Sequence, residues 1–457
     1  MHIQRSLLSR ATAPLLAAAA LLLGCSSSET PGHEFAAGES QFGIDGSQTL
    51  SSLAVGADGA IALTGSFDHT INFGGGKLES AGGQDVFIAV LEPSGAPRWS
   101  GRTGSDDTQQ GTSVALTKDG EVLLAGNFSG TVNFGQGKLE STATKAFLCR
   151  FDRAGNTLWS KKIGGDTGQV NVGGLALAPD GSVFVGGLFS GTQNFGAGEV
   201  SSSGNSSFIA RYDAQGQHVF SIAFAGAANQ VSTLAVDAKG AVILGGFNRG
   251  SMTFGKEFFA PYGGSAFVAR LEPDGTPGWF VQFGGESNLS SLALSEEGDV
   301  LLGGTYSGKL TFGDKTFTAP TQDGFVAKLS SAGAPLWFKA FGGTDYYTKA
   351  NVSAVAANSA EHVLFTGSLR GTIDLGGGPV IRDSNTDYMF LAELDGSGAY
   401  VRSKGFGGSG GSSGTALALD PAGGVVYGGT FSGALEGAVG VHQSKSVNDI
   451  LVIRQPE

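Results

Sequence analysis

Six acidic side chains fall just beyond short small-residue pairs: Asp45, Asp106, Asp107, Asp166, Glu286 and Asp345. Carboxylates offered at one place in successive repeats can ring an axis and hold a cation, and oxygen-only ligands suit calcium. A calcium cage needs six to eight converging oxygens, whereas these acids arrive one or two per repeat and no Asp-x-Asp-x-Asp-Gly loop occurs. Two such charges 10 Å apart in water repel by only about 0.4 kcal/mol, so turn capping and solubility account for them without a counter-ion. No metal or other cofactor is expected, calcium being the one ion to test.

A second set is aromatic. Tyr346, Tyr347 and Lys349 sit in the irregular stretch Thr344–Lys349, and Phe258, Phe259 and Tyr262 lie in another connection outside the regular pattern. Exposed tyrosines beside Asp and Lys suit a protein or glycan ligand, and packing against a neighbouring strand is the competing use. His69, His218, His362 and His442 fall in different repeats without metal-ligand spacing. No nucleophile elbow or phosphate loop stands in a strand-to-helix setting. The chain is expected to be a non-catalytic binding or assembly scaffold and not an enzyme, with a carbohydrate- or cation-assisted adhesin as one alternative and a hydrolase or lyase assembled at an axis from distant repeats as the catalytic one.

The elements that position these groups are repeated. Phe-Gly or an equivalent recurs at Phe73, Phe134, Phe195, Phe254, Phe312, Leu375 and Leu435, about 60 residues apart. Upstream of each lies a glycine inside an apolar run: Gly65, Gly126, Gly187, Gly246, Gly304, Gly367 and Gly429. Downstream come strand-like segments such as Phe147-Leu-Cys-Arg-Phe151 and Phe267-Val-Ala-Arg-Leu271, then a glycine turn with an aromatic four residues on, as in Gly155 to Trp159 or Gly396 to Tyr400. Cys149 stands where other copies carry alanine, so it reads as a small buried hydrophobe.

Seven copies of four strands each, with 77 glycines among short apolar runs, predict an all-β, seven-bladed propeller of antiparallel blades over 36–454. The seventh copy stops after its third strand near Arg454, and an orphan fourth strand, Ala36 to Phe42, opens the repeats. Pairing the two closes the ring and removes an exposed edge. If first strands lie innermost, connections from fourth to first and from second to third strand share one face. Those connections are long, as between Ser129 and Ala146, so that face is the expected binding surface. Short acid-glycine turns such as Asp119-Gly120 and Asp180-Gly181 mark the other.

The repeat resembles the bacterial β-propeller repeats of secreted proteins and lipoproteins. Its Gly-x-x-x-Trp is similar to the tryptophan-docking feature of quinoprotein propellers and of the outer-membrane assembly lipoproteins built like them, which differ in usually having eight blades. The resemblance implies the fold and leaves the ligand open.

Residues 1–25 have a basic start (Arg5, Arg10), an apolar run from Ala13 to Leu23 that is too short to span a bilayer, and then Leu22-Leu-Gly-Cys25. The last four resemble the lipobox of bacterial lipoproteins. That resemblance implies a signal peptide cleaved before a lipidated Cys25, anchoring to the membrane by two or more acyl chains, and a place at the outer membrane, on its periplasmic or outer side. Residues 26–35 then form a polar tether. The formal charge is -12 and becomes more negative once the basic leader is removed. Nucleic acid is therefore not an expected partner.

Overall fold

The computed structural model describes residues 38–456 apart from 225, 227, 261–262, 344–346, 381–385 and 438. Ala36, Ala37 and the anchor segment with Cys25 lie outside the described residues. Among the described residues all regular structure is β.

The second copy shows how a sheet is made. Gln109–Leu116, Val122–Asn133, Lys138–Phe151 and Thr157–Ile163 pair antiparallel in chain order. The first turn is tight because Gly120 takes φ 80° and its N–H reaches Thr117 O at 3.0 Å. The stretch expected as a long loop from Ser129 to Ala146 is mostly strand, since both flanking strands run on into a narrow hairpin. Other copies form this hairpin as a separate pair, as in Met252–Phe254 with Glu257–Phe259.

A single irregularity recurs in every first strand. The ladder slips at Leu50/Ser52, Gly111/Ser113, Val172/Gly174, Val231/Thr233, Leu289/Ser291, Val352/Ala354 and Gly414/Ala416. Each bulge pushes a backbone carbonyl toward the second strand. There a Cβ on Gly65, Gly126 or Gly187 would overlap the oxygen of Thr49, Gln110 or Asn171, and the remaining copies repeat this. The glycine inside each apolar run is thus the partner that the bulge requires.

Five four-stranded sheets stand alone, and the fifth and sixth copies share an eight-stranded one. Gly38–Phe42 completes the last sheet, pairing Gly38 with Arg454 and Phe42 with Ile450. The first strand of each copy packs on that of the next, and the seventh packs on the first. The core lies between sheets. One apolar cluster joins copies one and two through Val90, Trp99, Val122 and Cys149, and another joins seven and one through Val452, Phe42 and Leu63. Burial pushes the Cys149 thiol up, away from the reactive thiolate. Sheets packed face to face around a closed circuit, with the two chain ends zipped into one of them, make a β-propeller.

Neighbouring sheets are also locked at the outer strand. The Trp159 ring covers Gly216 of the next copy, and its indole N–H donates to Ala214 O at 3.0 Å. Trp99, Trp279 and Trp337 do the same to Arg153 O, Ser331 O and Gly396 O. In the sixth copy the expected docking pair fails. The turn closes at Gly398 (φ 81°), not Gly396, with its N–H on Asp395 O at 2.9 Å. Four residues on stands Arg402, which pairs with Glu393 at 2.5 Å. Tyr400 lies instead over Gly376 and Gly377.

Candidate binding surface

The expected binding face is built from the second-to-third and fourth-to-first connections, and the two behave differently. The hairpins of the former fold back over their own blade. Their tips rest on the start of the fourth strand, Gly74 against Pro97, Gly255 against Pro277 and Gly376 against Tyr400. Gln136 likewise donates to Thr157 O at 2.7 Å. The Phe-Gly anchor is what pulls each hairpin down: Phe73, Phe195 and Phe312 are buried in the blade, with Phe195 stacked on Phe208 at 4.4 Å.

This places the sequence candidates. Phe259 is half-buried, its ring stacked 3.9 Å from Phe280. Phe258, its neighbour on the opposite side of the strand, is 68 % exposed. Tyr347 is 72 % exposed, and Lys349 is exposed at the start of the strand that bridges Gln322. Tyr262, Tyr346 and Asp345 lie outside the described residues.

The acids do not gather at one place. Asp45, Asp106, Asp107, Asp166 and Glu286 are all exposed. Asp166 pairs with Lys162 at 3.2 Å and Glu286 accepts from Ser307 at 3.3 Å, while Asp106 lies beside Gly82 and Asp107 beside Gly130. Each is engaged in its own neighbourhood, and among the described residues no three carboxylate, imidazole or thiolate groups stand close enough to share a metal ion.

Two further sets of residues hold the blades, one at this face and one at the opposite end. At the mouth of four copies one third-strand position, at the same register, carries a buried charged side chain: Asp85, Lys145, Asp323 and Asp449. Lys145 Nζ donates to Thr167 O at 2.6 Å and Gly168 O at 2.9 Å. Burial, followed by repulsion from Lys162, lowers the pKa of this lysine. Asp85 accepts from Ala81 N at 2.8 Å and Arg102 at 3.1 Å, and burial still raises it, as it raises Asp323.

At the opposite end a cation near the close of the third strand clasps two copies together. Arg150 meets Glu121 of its own copy at 2.6 Å and donates to Ala214 O of the next at 3.0 Å. Arg211 joins Asp180 and Pro273 O, and Lys328 joins Asp299 and Glu361. The signal was a charged residue inside an otherwise apolar strand, as in Phe267-Val-Ala-Arg-Leu271.

Blades of four antiparallel strands, closed by the chain's own ends, define a repeat β-propeller. No family model matches the chain. It is 24% identical over 355 residues to Regulatory protein FlaEY of Caulobacter vibrioides, which covers 71% of this chain and 36% of that protein, so the chain spans about a third of that relative. Similar solved structures include the β-propeller domain of the Trilobed protease from Pyrococcus furiosus (TM-score 0.44, 11% identity, 90% of this chain and 95% of that one). The WD40 domain of Neurospora crassa Pan2 gives a TM-score of 0.43 at 12% identity over 89% of each chain.

Proposed function

We propose that the chain is a non-catalytic binding or assembly scaffold, a seven-bladed propeller held at the bacterial outer membrane through Cys25. The blade count takes the eight-stranded sheet as two blades, because a single bridged pair, Gln322 with Lys349, joins two complete four-stranded meanders. The anchor rests on Leu22-Leu-Gly-Cys25 behind an apolar leader.

The observation that carries the binding reading is the exposure of Tyr347 and Phe258, whereas most described aromatic rings pack between and within blades. Leaving a large ring in water forgoes its burial energy, and rings set on well-positioned loops are the usual anchors of a protein partner. A role exercised by binding also fits the name of the relative, a regulatory protein.

Affinity capture from detergent-solubilised membranes tests it, comparing wild type with Phe258→Ser/Tyr347→Ala/Lys349→Ala. The variant should lose specific partners while keeping its melting temperature. An unchanged partner list removes this surface from consideration. Mass spectrometry of the native amino terminus checks the anchor: a chain that starts upstream of an unmodified Cys25 rules it out.

A further inference from the structure

Five seams between consecutive copies are filled by an aromatic ring at one fourth-strand position: Trp99, Trp159, Phe220, Trp279 and Trp337, each laid over a turn glycine of the next copy. The seam where the chain ends meet is built to the same plan and lacks the ring. Gly38 pairs with Arg454 as Trp159 pairs with Arg150, so Gly38 stands at the ring's position. Among the described residues a Cβ on Gly95, the receiving glycine, would meet Ser40 Oγ at 3.2 Å, where Gly155 and Gly216 would meet an indole.

The receiving surface is nevertheless complete. Ile61 and Leu91 occupy the places of Val122 and Phe151, against which Trp99 packs. Pro93 O, the counterpart of Ala214 O, accepts from Arg454 at 2.5 Å as Ala214 O does from Arg150, and Ala214 O takes the indole N–H in addition. Between these groups lies a groove of about 590 Å³, lined by Gly38, Ile61, Leu91, Pro93, Gly95 and Val452 among others. A Cβ on Gly38 meets nothing within 4 Å.

We propose that this terminal seam is a docking site for an exposed tryptophan side chain of a partner protein, seated on Gly95 with its indole N–H on Pro93 O. The rest of the molecule states the ligand chemistry, because at the matching place it supplies an indole four times and a phenyl ring once. Apolar walls give the ring its burial, and the carbonyl selects an N–H donor over a purely aliphatic group. This surface lies on the short-turn side and is independent of Tyr347 and Phe258.

N-acetyl-tryptophanamide, followed by saturation-transfer NMR on the full chain, is the probe, with N-acetyl-leucinamide as control. Saturable binding with a dissociation constant on the order of 1 mM is expected for so small a ligand. Gly38→Trp should plug the groove, weakening the signal at least about fivefold and raising the melting temperature by a few degrees. Equal binding to wild type and Gly38→Trp, or a lower melting temperature for that variant, overturns the proposal. Phe35, three residues before Gly38 and outside the described residues, supplies the last arm. Binding that emerges only in Phe35→Ala means the chain's own ring holds the dock, and the partner reading falls.

Discussion

The seam between the second and third copies and the seam between the seventh and the first solve one packing problem in two ways. In the former the chain runs on, so Trp159 can be placed opposite the Asp213–Gly216 turn and Arg150 beside it. In the latter the arginine clasp survives, Arg454 with Asp420 and Pro93 O, but Gly38 stands where the ring would be, and the fourth strand is drawn from the other end of the repeats. Gly38–Phe42 brings a five-residue ladder, Glu39 with His442 at 2.5 Å and Gln41 with Asp449 at 2.6 Å. The ladder and these pairs hold by direction and register, whereas the indole holds by area. A ring closed by its own ends needs register most at the one place where covalent continuity does not supply it.

The difference predicts where each seam is weakest. Phe42 is the apolar anchor of the terminal strand, 6 % exposed and 4.9 Å from Phe73. Phe42→Ala should cost about 3–4 kcal/mol, the range for truncating a buried ring. In urea it should also broaden the transition as the terminal strand detaches first. A cost below about 1 kcal/mol would mean that the polar pairs alone close the ring.

At the ordinary seam Trp159 is only half-buried, so Trp159→Ala should cost less, about 2–3 kcal/mol. The sixth copy supplies the sharper contrast. The following copy takes its fourth strand, Gly38–Phe42, from the other end of the repeats, so among the described residues no third-to-fourth turn lies there to receive a ring, and Arg402 stands where tryptophan would. Arg402→Trp should therefore bring no gain, and it should lose about 1–2 kcal/mol by leaving Glu393 to His362 alone. Thermal melts of both variants check this. A stabilised Arg402→Trp would show that the ring needs no turn beneath it.

How much of this was legible beforehand follows from what each feature depends on. The closing strand could be read because a missing fourth strand at one end and a spare one at the other is a property of order along the chain. The second-strand glycines stood out by position, but their reason, a bulge in the adjacent strand, exists only once strands are paired. Tyr400 was misplaced because Asp395-Gly-Ser-Gly398 holds two glycines, and only the hydrogen bond to Asp395 O selects the second. The hairpins read as loops because serine, threonine and glycine alternate there with few large residues. Phe258 and Phe259 are adjacent and alike in sequence, yet alternation along a strand sends one to solvent and the other onto Phe280. The acids share a repeat position in the sequence, and the structure shows each exposed among the described residues, with no three groups close enough to share a metal ion.

Asp237, Asp58 and Asp180, in the short turns between first and second strands, share one pH response. For Asp237 burial alone would raise the carboxyl, but the Ala241 N–H, the Arg270 guanidinium and the Lys239 N–H outweigh it and hold the group below its ordinary 3.8. Asp58 and Asp180 are held down in the same way, each against its own burial. A depressed folded pKa means stability that is present above the unfolded value and is lost as pH falls through the folded one, so these acids weaken the fold below about pH 4. Asp85 and Asp323 carry the opposite sign. Burial raises them, the folded state binds the proton more readily than the unfolded one, and their contribution grows as pH drops toward 3.8. Melting temperature against pH should thus rise slightly on acidification from neutrality and then fall below about pH 4. Asp323→Asn should flatten the first limb and Arg270→Met the second, each by on the order of 1 kcal/mol. Arg270→Met leaving the acid limb unchanged would show that the Arg270 guanidinium is not what holds Asp237 down.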